Sequence, residues 1–160
     1  VLNATDYDVP QARERVFFIG FRTNNKLIPD LAKMLAPYKK KAPTVREALS
    51  VLDRAGTGNN QSICKAKITL TAKPVMRKSP YAGMLFNGLG RPVKIDGYCA
   101  TLPASMGGNK TPIIDDEELY NNKVGWVQKY HSGLLKGNSP MEYQEAPKRL
   151  RRLTVEEASV

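Results

Sequence analysis

Gln11-Ala12-Arg13-Glu14-Arg15, followed at once by Val16-Phe17-Phe18-Ile19-Gly20, is the stretch on which the reading of this chain turns. The apolar run has strand length, branched and aromatic side chains and a closing glycine. It predicts a buried strand from Val16 to Phe21, entered by a loop or edge that carries two arginines. Residues two apart on extended backbone project to one side, so Arg13 and Arg15 predict two planar guanidinium forks on one face. Such forks suit bidentate contact with a phosphate or with a nucleobase oxygen.

Charge points the same way. The chain has 160 residues and a formal net charge of +10. Residues 27–95 hold thirteen basic and three acidic side chains, so this middle block alone carries the whole excess, and the flanks nearly cancel. A patch of that sign attracts a polyanion and releases its counterions; a soluble basic face without a partner is the plainer alternative. The hydrophobic content of 41% allows a core. No run is long enough to span a bilayer, and the first residues do not have the pattern of a signal peptide. Cys64 and Cys99 lack any disulfide or metal-ligand spacing, which fits a reducing compartment.

Coarse organisation follows from punctuation. Arg22-Thr23-Asn24-Asn25 predicts a turn, and residues 27–35 a short amphipathic helix stopped by Pro37. Lys39, Lys40 and Lys41 read as a solvated linker that could also touch a nucleic-acid backbone. Residues 43–52 predict a second helix, because Thr44 and Glu47 have capping-box spacing. From Ile63 to Leu70, Ile63, Lys65, Lys67 and Thr69 alternate with Cys64, Ala66, Ile68 and Leu70. That places the lysines on one face, as in a sheet lying against DNA or in any half-exposed strand. Frequent Gly, Pro and Asn beyond Pro74 give the texture of a small β-rich unit with long loops. Asp115 to Glu118 predicts a solvated helix start, and a helix around Trp126 is weakened by Gly125. Thr154 and Glu157 repeat the capping box, opening a helix too short to hold its own position.

Three ordered segments carry a resemblance. Asn3, Ala4, Asp6, Tyr7, Val9, Pro10, Gln11, Arg13, Arg15 and the run from Val16 to Gly20 resemble the eighth motif of DNA cytosine-5 methyltransferases. Arg91-Pro92 and Ala100 to Asp115 look like the target-recognition region of bacterial members, and Arg152-Leu153-Thr154-Val155-Glu156-Glu157-Ala158 is similar to the opening of the ninth motif. Asp8 departs from the glycine usual at its position. The resemblance implies an α+β fold: residues 1–26 a remnant of the α/β catalytic domain, 27–147 a small β-rich target-recognition domain with linking helices, and 148–160 the start of a truncated ninth-motif helix. It implies a fragment of an enzyme that methylates C5 of a flipped cytosine from S-adenosylmethionine, in a bacterial restriction-modification setting, cytoplasmic and associated with the nucleoid. The glycine-rich cofactor loop, the Pro-Cys nucleophile and the Glu-Asn-Val segment of the family are not found in these residues. The expectation is therefore a chain that is inactive alone and binds no cofactor, with duplex DNA and an N-terminal catalytic half as partners and neither membrane nor metal. A free-standing basic DNA- or RNA-binding module and one subunit of a split methyltransferase are the alternatives.

Gln11, Arg13 and Arg15 would, by that resemblance, support the catalytic pocket around the extruded base. Two loops are candidate readers of DNA. The first offers Arg77, Lys78, Ser79, Tyr81, Asn87 and Arg91; Arg can pair with guanine and Asn with adenine. The second offers Thr101, Leu102, Ser105, Gly107, Gly108, Asn109 and Lys110, whose glycines let backbone N–H groups approach phosphate. Two ordinary hairpin turns would look alike. Gly108-Asn109-Lys110-Thr111 lacks the earlier glycine of a phosphate-binding loop, and Gly88 to Val93 lacks the third glycine of a dinucleotide fingerprint, so nucleotide hydrolysis and dinucleotide binding are set aside.

Overall fold

A computed structural model of the chain describes residues 1–20, 22, 30–143 and 145–160. The expected turn at residues 23–25, the strand's end at Phe21 and the first helix's start at residues 27–29 lie outside the described residues. The described part is α+β, built from four two-stranded ladders and short helices.

At the N-terminal end, β1 (Leu2–Asn3) pairs antiparallel with β3 (Glu14–Arg15), and between them β2 (Gln11–Ala12) leaves to pair elsewhere. The loop between β1 and β2 turns through Asp8 at φ 66°. That left-handed region favours glycine, and Asp is among the few side chains that tolerate it. The Asp8 carboxylate in turn accepts a hydrogen bond from Lys40 Nζ at 2.5 Å. Backbone N–H groups of Asp8, Lys40 and Ala42 donate across the same junction to Lys40, Asp6 and Thr5. The Lys39–Lys41 run is thus docked along this loop and is not the free linker expected from composition.

Helix α1 (Leu31–Leu35) is capped by Asp30, whose carboxylate accepts from the N–H groups of Ala32 and Lys33; a 3₁₀ turn, Ala36–Tyr38, follows. Helix α2 (Val45–Leu49) has both halves of the expected capping box. It buries Val45, Ala48 and Leu49, as its apolar spacing requires. β4 (Leu70–Val75) and β5 (Met84–Phe86) form an antiparallel pair interrupted by a register shift. Before β4 the strand expected from Ile63 does not form, since residues 63–69 enter no ladder among the described residues, but the alternation read from sequence holds in exposure: Ile63, Lys65, Lys67 and Thr69 are exposed, and Cys64, Ala66, Ile68 and Leu70 are half-buried.

β6 (Cys99–Ala100) pairs in parallel with β2. β7 (Ile113–Asp115) pairs antiparallel with β8 (Leu150–Arg152), the strand opening the segment similar to the ninth motif. Side chains alternate across β7, and the core divides there. Ile114 joins Val45, Leu49, Val93, Ile95, Leu119 and Leu153 on one side. Ile113 joins Leu85, Phe86, Val127, Tyr130 and Leu150 on the other, where Trp126 stacks on Tyr130 with centroids 4.8 Å apart.

The single helix expected around Trp126 is two, α3 (Asp116–Asn121) and α4 (Trp126–Leu135). Asn122 in the left-handed region ends the first. Gly125 caps the second where a Cβ would meet the Glu118 carboxylate. The acidic start of α3 is not solvated: Asp115 and Glu118 are buried. Asp115 accepts from the N–H of Glu117 and from the N–H of Trp126, so one carboxylate caps both helices. Helix α5 (Val155–Ser159) forms a complete capping box and, contrary to expectation, is held firmly. Glu157 takes two hydrogen bonds of 2.7 Å from Arg151, and buried Asn60 bonds both Thr154 and Glu157. Tertiary anchors hold in place a helix of five residues, which is too short to be stable by itself.

One expectation fails outright. Residues 16–20 form no strand pairing and are exposed, with Phe18 at 94%. Apolar composition produces a buried strand only where another layer covers it, and no described residue does.

Candidate nucleic-acid interface

The two segments singled out from sequence meet at the β2–β6 ladder. Gln11 pairs with Cys99 and Ala12 with Ala100. Cys99 N–H donates to the Pro10 carbonyl at 2.9 Å, and Thr101 Oγ1 donates to the Ala12 carbonyl at 3.1 Å. Arg13 follows directly on one strand and Thr101 on the other. Arg13 is exposed, and so is Arg15, whose Nη1 folds back onto the Glu14 carbonyl at 2.7 Å. Gln11 is half-buried.

Beside this junction lies a cleft of about 310 Å³ whose apolar lining includes Leu89, Val93 and Pro103, with a polar rim of Arg91, Thr101, Ser105 and Lys110. Lys110 Nζ donates to Ser105 Oγ at 3.3 Å, which joins two members of the rim. Arg91, Asn109, Gly107 and Gly108 are exposed. Nothing lies within 4 Å of where a Cβ would stand on Gly107 or Gly108, so their backbone is open to a close approach. Asn109 packs its Cβ against Gly88, and its carbonyl accepts from Gly90 N–H at 2.8 Å, which ties the two loops together. The rim bears cations and no carboxylate. The carboxylate of S-adenosylmethionine would find partners in Arg91 and Lys110, but its sulfonium and ammonium groups would find no carboxylate in this cleft, so these residues do not fit the cofactor.

Other residues expected to face DNA have internal partners. Tyr81 is half-buried; its hydroxyl donates to Glu118 Oε1 at 3.2 Å and accepts from Gln128 Nε2 at 2.8 Å. Burial, helped by Glu118, pushes its pKa up to about 12. Asn87 spends its amide on Thr69 Oγ1 and the Leu70 carbonyl. Leu102 packs on the α2 side of the core. Ser79 Oγ accepts from Tyr81 N–H. Arg77 and Lys78 are exposed, and the Arg77 carbonyl accepts from His131 Nε2 at 2.8 Å. Lys40 is engaged by Asp8, whereas Lys39 and Lys41 are exposed without ion pairs among the described residues.

The basic block sorts in the same way. Arg46 is bound to Asp96 and to the carbonyls of Glu118 and Leu119, and Arg54 lies over the Tyr120 ring at 4.5 Å. Lys33 and Lys40 have carboxylate partners. The remaining nine cations of residues 27–95 are exposed and unpaired among the described residues. Two buried groups escaped the sequence reading. Glu118 was hidden in an acidic run, and Arg152 in a basic cluster; composition says nothing of which member turns inward.

A family model for C-5 cytosine-specific DNA methylases matches residues 1–160. The chain belongs to this family. No curated protein and no solved structure gives a significant match. For a C-5 cytosine-specific DNA methylase the relevant activity is transfer of a methyl group to DNA. Among the described residues no group of three or more His, Cys, Asp or Glu side chains is placed to hold a metal ion, and no helix is long and apolar enough to cross a membrane.

Proposed function

We propose that this chain is the DNA-recognising part of a DNA cytosine-5 methyltransferase, with residues supporting the catalytic pocket joined directly to the recognition segment. The observation that carries this reading is the parallel β2–β6 ladder, sealed by Thr101 on the Ala12 carbonyl. Arg13, Arg91, Ser105, Asn109 and Lys110 make the DNA contacts. Tyr81, Asn87 and Leu102 brace the loops from behind. The exposed lysines, including Lys39, Lys41, Lys65 and Lys67, supply attraction for the phosphate backbone. Arg13 holds the backbone beside an extruded cytosine, a step that otherwise costs a few kcal/mol in lost stacking and pairing.

Neither cysteine follows a proline, and burial pushes the Cys99 thiol up to about 11, so Cys99 has no activated thiolate to offer. The nucleophile and the site for S-adenosylmethionine therefore come from another segment, of the same chain or of a separate subunit. Exposed Phe17 and Phe18 favour such a partner over a free-standing module.

The experiment is transfer of labelled methyl to duplex DNA, by this chain alone and mixed with a segment carrying the Pro-Cys nucleophile. Activity is expected only in the mixture; turnover by the chain alone overturns the proposal. Thr101→Val, which keeps shape and removes the donor to Ala12, is expected to weaken the junction by about 0.5–1.5 kcal/mol. It should lower methyl transfer in the mixture more than it lowers DNA affinity. Equal losses in both would show that the ladder does not link recognition to the pocket.

A further inference from the structure

We propose that the cleft beside the β2–β6 junction reads the C5 methyl group of a thymine in the recognition sequence. The inference rests on the DNA-recognising role proposed above and adds which base the surface selects. Leu89 and Met84 line the cleft while 61% and 42% exposed, and Pro92, Val93 and Pro112 line it from buried positions. They make an apolar recess rimmed by the cations of Arg91 and Lys110, and contiguous apolar surface open to solvent marks a binding site. Proline has no N–H, so Pro92, Pro103 and Pro112 give the wall no backbone donor. Burial pushes the Cys99 thiol up to about 11, so it is neutral and counts with the apolar lining.

The recess is built on strands. Val93 N–H donates to the Ile113 carbonyl and Ile113 N–H to the Arg91 carbonyl, both at 2.9 Å, which pins one wall to β7. Cys99 and Ala100 on another wall belong to β6 and pair with β2. Walls fixed in this way hold a reading group more sharply than free loops do.

What duplex DNA displays selects the occupant. Its phosphates are anionic and its base edges carry hydrogen-bonding atoms; the apolar group shown in the major groove is the thymine methyl. Arg91 and Lys110 suit a neighbouring guanine or phosphate. A whole extruded base is a poorer occupant, because such a base is held by stacking and by hydrogen bonds to its pairing edge. No aromatic ring lines this cleft, Thr101 gives its hydroxyl proton to Ala12, and Ser105 accepts from Lys110.

The test selects duplexes bound by the 160-residue chain from a randomised pool. Each thymine of the selected sequence is then replaced by uracil, which removes only the methyl. Uracil at one position is expected to weaken binding about fourfold, the worth of one buried methyl, without changing the salt slope. Leu89→Ser, checked for folding by circular dichroism, should shrink that difference to under about twofold. If the variant does not fold, the uracil series in the unaltered chain decides. Salt-dependent binding in which every uracil is silent or no thymine is selected, or a folded Leu89→Ser chain that keeps the full difference, overturns the inference and leaves DNA recognition standing. Failure to bind any duplex in a salt-dependent manner overturns the reading beneath it as well.

Discussion

Asp8 and Gly90 show how single positions set the shape of this surface. Asp8 stands in the left-handed region with its carboxylate on Lys40. The ion pair is exposed and worth under about 1 kcal/mol, whereas the backbone preference against an ordinary side chain is about 1–2 kcal/mol. Backbone therefore dominates. Asp8→Ala is expected to destabilise by about 1–2 kcal/mol in urea unfolding, and Asp8→Gly to be close to neutral. Equal losses would assign the effect to the lost ion pair. At Gly90 a Cβ would run into Arg152 Nη1 and the carbonyls of Asn109 and Thr111. Gly90→Ala is expected to cost about 1–3 kcal/mol in the same assay and to loosen the two loops that meet at Gly90 and Asn109. An unchanged unfolding midpoint would mean that Arg152 has room to withdraw.

At the scale of elements, local signals were legible and tertiary ones were not. Both capping boxes formed where Thr and Glu stood three apart, because the bonds lie within one turn. The lysine face before β4 was legible because alternation is a property of the chain itself. Burial of residues 16–20 was misread, since it depends on a layer that the run does not encode. The inward turn of Glu118 was invisible for the same reason. Burial raises its carboxyl above the ordinary 4.5, so the folded chain holds that proton more tightly than the unfolded chain. The corresponding stability is complete below pH 4.5 and is lost as pH climbs through the raised folded value. Glu118→Gln retains an acceptor for Tyr81 and should flatten this decline, measured as urea midpoints from pH 4.5 to neutrality. Asp116, raised by its own burial, leaves a residual slope in the same direction. An identical slope in the variant would remove Glu118 as its source.

Across the whole molecule, the location of charge was readable from sequence, and the roles of its members were not. Four of the thirteen cations in residues 27–95 serve the fold through Asp30, Asp8, Asp96 and the Tyr120 ring. Those left exposed include Lys65 and Lys67. Changing both to Gln should lower the slope of log affinity for duplex DNA against log salt by roughly 0.9 for each lysine that touches a phosphate. Preference among sequences should stay the same. A changed preference with an unchanged slope would place these lysines at base edges instead.

β7 is a party wall, with Ile113 furnishing one room and Ile114 the next. Chimaeras that exchange sequence specificity between relatives should therefore keep their junctions clear of it. A splice that separates residues 113–115 from 150–152 would tear both rooms at once, whereas swapping only residues 103–110 would leave the masonry standing.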